Sequence, residues 1–232
     1  MKNTVAKRLL QVKQRISDAE YRFQRLPHSV RLIAISKSQD LEAIKTAITA
    51  GQLAFGETYV QEALAKIKWF SGQGIEWHFV GRIQDNKAKL IAINFAWVHS
   101  LSTLKSAIRL NHYRKEANLT PLNVCIQVNL QKEANKSGVY LENLVVLANA
   151  INKLPYLHLR GLMAIPKPEI DVEKQHENFK NLRLALEKLK RIGLAVDILF
   201  MGMSDDFEAA IAEGASLIRI GSAIFGKRTI IV

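Results

Sequence analysis

The chain has a single cysteine, Cys125, in 232 residues. That excludes an intramolecular disulfide and a metal site built on several thiolates. A lone thiol in an apolar run fits a reducing compartment, so a cytoplasmic setting is expected. Uninterrupted apolar runs are short, and none approaches the roughly 20 residues that a membrane-spanning helix needs. Aromatic side chains make up only 7% of the chain, and its basic residues are scattered over helical stretches rather than gathered in a stripe. No nucleic-acid surface with a stacking platform is expected from that pattern. Acidic residues are scarce, with 21 Asp and Glu against 33 Lys and Arg, a formal net charge of +12. The excess attracts anions, phosphorylated small molecules among them, without choosing between them.

What is present is an alternation. Val5, Leu9, Val12, Ile16, Ala19 and Phe23 recur at helical spacing with charged residues between them. They predict an amphipathic helix over about 4–25 that belongs to the fold and is not a secretory leader. After Pro27, eight β-rich runs follow at 31–37, 53–57, 76–81, 96–101, 123–130, 157–165, 198–204 and 217–225. Amphipathic segments at 40–50, 58–70, 103–117, 141–154 and 171–192 lie between them. Strands alternating with helices predict parallel βαβ units. Eight of them predict an α/β fold of the (β/α)8 TIM-barrel type over about 31–226, in a single domain spanning 1–232. A doubly wound open sheet is the other arrangement the pattern allows, and in both the ligand sits at the carboxyl ends of the strands.

Those ends supply the candidate residues. Lys37 closes the run Arg31-Leu32-Ile33-Ala34-Ile35-Ser36-Lys37, where an amine is either a solvated strand cap or a group placed for covalent chemistry. The loops after the last two runs read Gly202-Met203-Ser204-Asp205-Asp206 and Arg219-Ile220-Gly221-Ser222-Ala223. Barrels commonly bind phosphate there, with glycines admitting the backbone and hydroxyls and amides donating. Ser204 by itself is equally explained as the N-cap of a helix running to Ala212. That alternative leaves Arg219, at the end of an otherwise apolar strand, without an explanation. An amine facing a phosphate cradle suits pyridoxal 5′-phosphate. An arginine opposite its ring nitrogen can only donate, which leaves the nitrogen unprotonated and favours racemase-like chemistry or simple cofactor holding over transamination.

Other groups are weaker candidates. His78 and His99 fall short of the three protein ligands of a catalytic zinc site and are expected in the core or against the cofactor. Asp205, Asp206 and Glu208 are accounted for by a helix start, so no metal is expected. Glu57 is either a proton acceptor or half of an ion pair. Lys136, in Asn135-Lys136-Ser137-Gly138, is either a solvated loop lysine or a second amine that accepts the cofactor during transfer.

Several separated motifs, in order, resemble one known family. They are Ala34-Ile35-Ser36-Lys37, Phe55-Gly56-Glu57-Thr58-Tyr59-Val60-Gln61-Glu62, Trp77-His78-Phe79-Val80-Gly81 with Gln84 and Asn86-Lys87, Lys136-Ser137-Gly138, Arg160-Gly161-Leu162-Met163-Ala164-Ile165, Gly202-Met203-Ser204-Asp205-Asp206, and Arg219-Ile220-Gly221-Ser222-Ala223-Ile224-Phe225-Gly226. The family is the pyridoxal-phosphate homeostasis proteins, which have the barrel fold of the alanine racemase N-terminal domain. The resemblance implies that Lys37 holds the cofactor as a Schiff base and that Ser204, Gly221 and Ser222 hold its phosphate. Arg219 would face the pyridine nitrogen, and Met203 and His78 would line the pocket. Thr58 departs from the family's usual Asn, which puts any cofactor contact at that position in doubt. The resemblance further implies a carrier or regulator of the cofactor, affecting amino-acid and keto-acid balance, with apoenzymes as recipients and without established turnover. Racemases of this fold add a β-rich domain that brings a tyrosine to the partner subunit's site, and the sequence shows no second base beside Lys37. A monomer is therefore expected, with an amino-acid racemase of the same barrel as the alternative function.

Overall fold

A computed structural model describes residues 4–226. Eight parallel strands close into a barrel in sequence order: β1 (Arg31–Ile35), β2 (Ala54–Glu57), β3 (Glu76–Phe79), β4 (Trp97–Leu101), β5 (Leu122–Val128), β6 (Leu157–Ala164), β7 (Ile198–Phe200) and β8 (Leu217–Ile220). The seam joins β1 to β8, with Arg31 opposite Leu217 and Ala34 opposite Ile220. The helices are α1 (Val5–Arg22), α2 (Leu41–Thr49), α3 (Val60–Trp69), α4 (Ala88–Asn94), α5 (Leu104–Glu116), α6 (Leu141–Asn152), α7 (Val172–Arg191), α8 (Phe207–Ala212) and α9 (Ser222–Phe225). The expected barrel is the one found, and the open sheet is not.

Alternation along the strands divides the apolar residues in two. Ile33, Trp97, Cys125, Met163, Phe200 and Leu217 pack together as an inner cluster, while their neighbours in sequence pack outward against the helices. Three predicted helix starts proved to be caps: Asp40, Thr103 and Asp171 each accept a backbone N–H from the first turn that follows. In α1, Leu9, Val12, Ile16 and Ala19 form the buried face, as their spacing predicts.

Six of the eight predicted strands end early, the last two by the most. β1 stops at Ile35, and the chain turns away through Ser38, whose φ is +58°. β7 stops at Phe200 because Gly202, at φ +95°, bends the chain so tightly that a Cβ there would come 2.7 Å from the Ala210 Cβ. The last predicted strand, at 217–225, is two elements: β8 ends at Ile220, and Ile224 and Phe225 belong to α9. A short apolar run has no period long enough to separate strand from helix, so the sequence marks no boundary there. The helix after Ser204 begins at Phe207 behind Asp206, so Ser204 is not its N-cap.

Candidate functional site

The strand ends surround a cavity of about 620 Å³. Its wall includes Lys37 from the turn after β1, Thr58 after β2, Met203 and Ser204 after β7, and Arg219, Gly221 and Ser222 from the end of β8. Seven of the eight expected cofactor contacts are thereby brought to one wall. His78 is the exception, because its place in the pleat of β3 turns it into the barrel, where it is fully buried and does not line the cavity. There His78 Nδ1 and His99 Nε2 are 2.8 Å apart, and both rings stack with Trp97. Burial lowers the pKa of both imidazoles, that of His99 well below its usual value, while Glu76, 2.7 Å from His78 Nε2, opposes the fall at His78. The expectation that His78 lines the pocket is corrected: it supports the layer beneath.

Arg219 dominates the electrostatics of the wall. The residue is only 6% exposed, and its guanidinium lies over the Phe200 ring, 5.1 Å from the centroid. Nη2 donates to the Ala164 carbonyl, while Nε and Nη1 meet no acceptor among the described residues. Burial depresses its pKa to about 10, an effect opposed by Asp206, and the group stays cationic at neutral pH. A buried cation with two unsatisfied donors strongly favours a ligand that brings an acceptor within their reach.

The two loops beside it form a hydroxyl-lined corner. Ser204 Oγ and Ser222 Oγ are 3.3 Å apart. Asp206 holds the first loop in shape by accepting the Met203 amide at 2.6 Å. This is a structural task that the sequence alone did not assign to it. Burial raises the Asp206 pKa, against the pull of Arg219. Across the mouth, Gly81 presses so closely on the Thr58 backbone that a Cβ would lie 2.0 Å from the Thr58 carbonyl oxygen. Lys136 also reaches the wall, its ammonium 2.8 Å from Glu133 Oε1 and donating to the Ile165 carbonyl. No group of three or more potential metal ligands occurs among the described residues.

Behind Lys37 lies a network that the periodicity of α3 concealed, since Lys66 reads as part of a solvated helix face. Its side chain is only 5% exposed. The ammonium donates to the Ser36 carbonyl at 2.6 Å, to Glu57 Oε1 at 2.8 Å and to Glu62 Oε1 at 2.6 Å. Ser36 Oγ donates to Glu57, and the Ser38 amide donates to Glu62, each at 2.6 Å. Of the two roles open to Glu57, the structure shows the ion pair. Burial raises its pKa, and Lys66 opposes that rise.

No helix among the described residues is long and apolar enough to cross a membrane. A family model, alanine racemase N-terminal domain, matches residues 16–229. The pyridoxal phosphate homeostasis protein of Escherichia coli is 48% identical over 97% of each chain. The protein of that name from Pseudomonas aeruginosa is also 48% identical, over 97% of this chain and 96% of its own. Among solved structures, PipY of Synechococcus elongatus with PLP bound is 33% identical, with a TM-score of 0.86 over 96% of this chain and 100% of that one. A Clostridium difficile alanine racemase shares the fold at 17% identity, with a TM-score of 0.70 over 89% of this chain and 57% of its own. The chain thus belongs to the alanine racemase N-terminal domain family and, within it, to the pyridoxal phosphate homeostasis proteins.

Proposed function

We propose that this chain binds pyridoxal 5′-phosphate in the cavity through a Schiff base on Lys37 and serves as a cytoplasmic carrier and buffer of the cofactor. The observation that carries this is Arg219, which lines the cavity and whose buried guanidinium has Nε and Nη1 without acceptors among the described residues. A pyridine nitrogen is an uncharged acceptor of suitable size for those donors. The Ser204 and Ser222 hydroxyls, with glycines in both loops, suit a phosphate. The residues present therefore fit the cofactor. When bound, pyridoxal 5′-phosphate supplies an aldehyde that condenses with amines and a ring that withdraws electrons from the carbon attached to the condensed amine's nitrogen.

Each residue has a distinct task in this scheme. Lys37 provides the amine, and the corner at Ser204 and Ser222 anchors the phosphate. Arg219 donates to the ring nitrogen and keeps a proton off it, which weakens the ring as an electron sink. Neither histidine nor tyrosine occurs among the described residues lining the cavity, and Lys136 is engaged by Glu133. That supports holding and release of the cofactor over racemisation, which needs a base on each face of the substrate. Apoenzymes that require the cofactor are the recipients.

The test is the visible absorption spectrum of the purified protein beside a Lys37→Ala variant, before and after borohydride, with the modified residue mapped by mass spectrometry. A yellow band that borohydride traps on Lys37, and that the variant lacks, is expected. A protein that stays colourless with added pyridoxal 5′-phosphate overturns the proposal.

A further inference from the structure

We propose that Lys66 is a positioning residue for Lys37: its buried ammonium fixes the backbone on both sides of Lys37 and so aims the Lys37 amine into the cavity. This rests on Lys37 being the attachment point. The three N–H donors of Lys66 match three acceptors, the Ser36 carbonyl, Glu57 Oε1 and Glu62 Oε1. Each acceptor leads back to a neighbour of Lys37. Ser36 is held twice, through its carbonyl by Lys66 and through its hydroxyl by Glu57. Ser38, in the left-handed region at φ +58°, is held by its amide on Glu62.

Stability alone does not account for this network. A fully buried carboxylate and a lysine only 5% exposed are costly to desolvate, and apolar replacements of such pairs are often neutral or stabilising. What the ions provide and apolar groups cannot is direction. Hydrogen bonds from a rigid helix and from β2 fix Ser36 and Ser38, while the side chain between them faces the cavity. Condensation depends on that direction. The Lys37 amine adds to the aldehyde carbon, a C=N bond replaces C=O, and the oxygen leaves as one water carrying the two amine protons, with no electrons gained or lost. Misplacing a reacting group by about 1 Å can cost on the order of a hundredfold in rate.

The test compares full-length wild type, Lys66→Met and Glu62→Ala in two assays. The first is the rate at which the visible band appears on adding pyridoxal 5′-phosphate, with borohydride mapping to Lys37. The second is calorimetric affinity for 4′-deoxypyridoxine 5′-phosphate, which lacks the aldehyde and reports only on phosphate and ring binding. Band formation is expected to slow about tenfold or more in Lys66→Met and severalfold in Glu62→Ala, with affinity for the deoxy analogue within about twofold of wild type. Unchanged rates in the variants overturn the proposal, and so does an equal loss in both assays, which marks a structural role only. Should Lys66→Met fail to fold, Glu62→Ala decides by the same criteria. A wild type that binds the deoxy analogue but forms no band on Lys37 removes the attachment itself. A normal wild-type band with unaffected variants removes only the role of Lys66.

Discussion

Arg8 Nε donates to the Ile224 carbonyl at 2.6 Å, joining α1 to α9 across a sequence separation of 216 residues. Its Nη2 donates to Phe225 O at 3.1 Å. Further along α1, Arg15 and Arg22 pair with Glu208 on α8, and beyond the helix Arg25 donates to the carbonyls of Ile211 and Ala215. The N-terminal helix is thereby fastened to the two helices that follow the hydroxyl-bearing loops of the cavity.

Replacing Arg8 with alanine leaves the Ile224 and Phe225 carbonyls without that donor. The variant is expected to lose about 1–3 kcal/mol of stability in urea denaturation and to bind 4′-deoxypyridoxine 5′-phosphate more weakly. Arg8→Lys should recover only part of either loss, because a single ammonium cannot reproduce the guanidinium fork.

Arg219→Met separates function from stability. Removing a charge-assisted hydrogen bond worth about 1.5–3 kcal/mol should lower cofactor affinity tenfold or more. The same change removes a buried cation with two unsatisfied donors while keeping an apolar stem against Phe200. Loss of the Nη2 bond to the Ala164 carbonyl offsets part of that relief, so the cofactor-free variant should melt close to cofactor-free wild type, as differential scanning calorimetry would show.

The buried pair His78 and His99 makes stability depend on pH. Both folded-state pKa values lie below 6.5, so as pH falls through that value the unfolded chain takes up protons that the folded chain refuses. Their contribution is full above 6.5 and is lost on acidification, with a slope of up to about 1.4 kcal/mol per pH unit for each imidazole. His78 contributes the smaller share, because Glu76 partly offsets its burial. Urea midpoints measured against pH should show the slope, and His99→Phe should reduce it.

A carrier and a racemase differ at the substrate α-carbon. In heavy water the protein is expected to exchange α-protons of L- and D-amino acids no faster than free pyridoxal 5′-phosphate does. Fast exchange seen by proton NMR would favour the racemase alternative.

Much of the barrel was legible because its signals are local. The segment starts at Asp40, Thr103 and Asp171 and the eight apolar runs each depend on a few neighbouring residues, and the strand-end rule then pointed to Lys37, Ser204 and Arg219 without geometry. The boundary inside 217–225 was not legible, since a short apolar stretch is compatible with both strand and helix.

The sequence by itself determined the alternation of strands and helices and which residue types stand at the strand ends, because propensity, capping and periodicity act over a few residues. Only the tertiary structure decided that Lys66 is buried behind Lys37, that His78 turns inward and pairs with His99, and that Arg219 keeps two donors without acceptors among the described residues. Those facts depend on which distant segments become neighbours when β8 closes on β1. Burial and hydrogen-bond partners are set by that closure, so they could not be read from the order of residues alone.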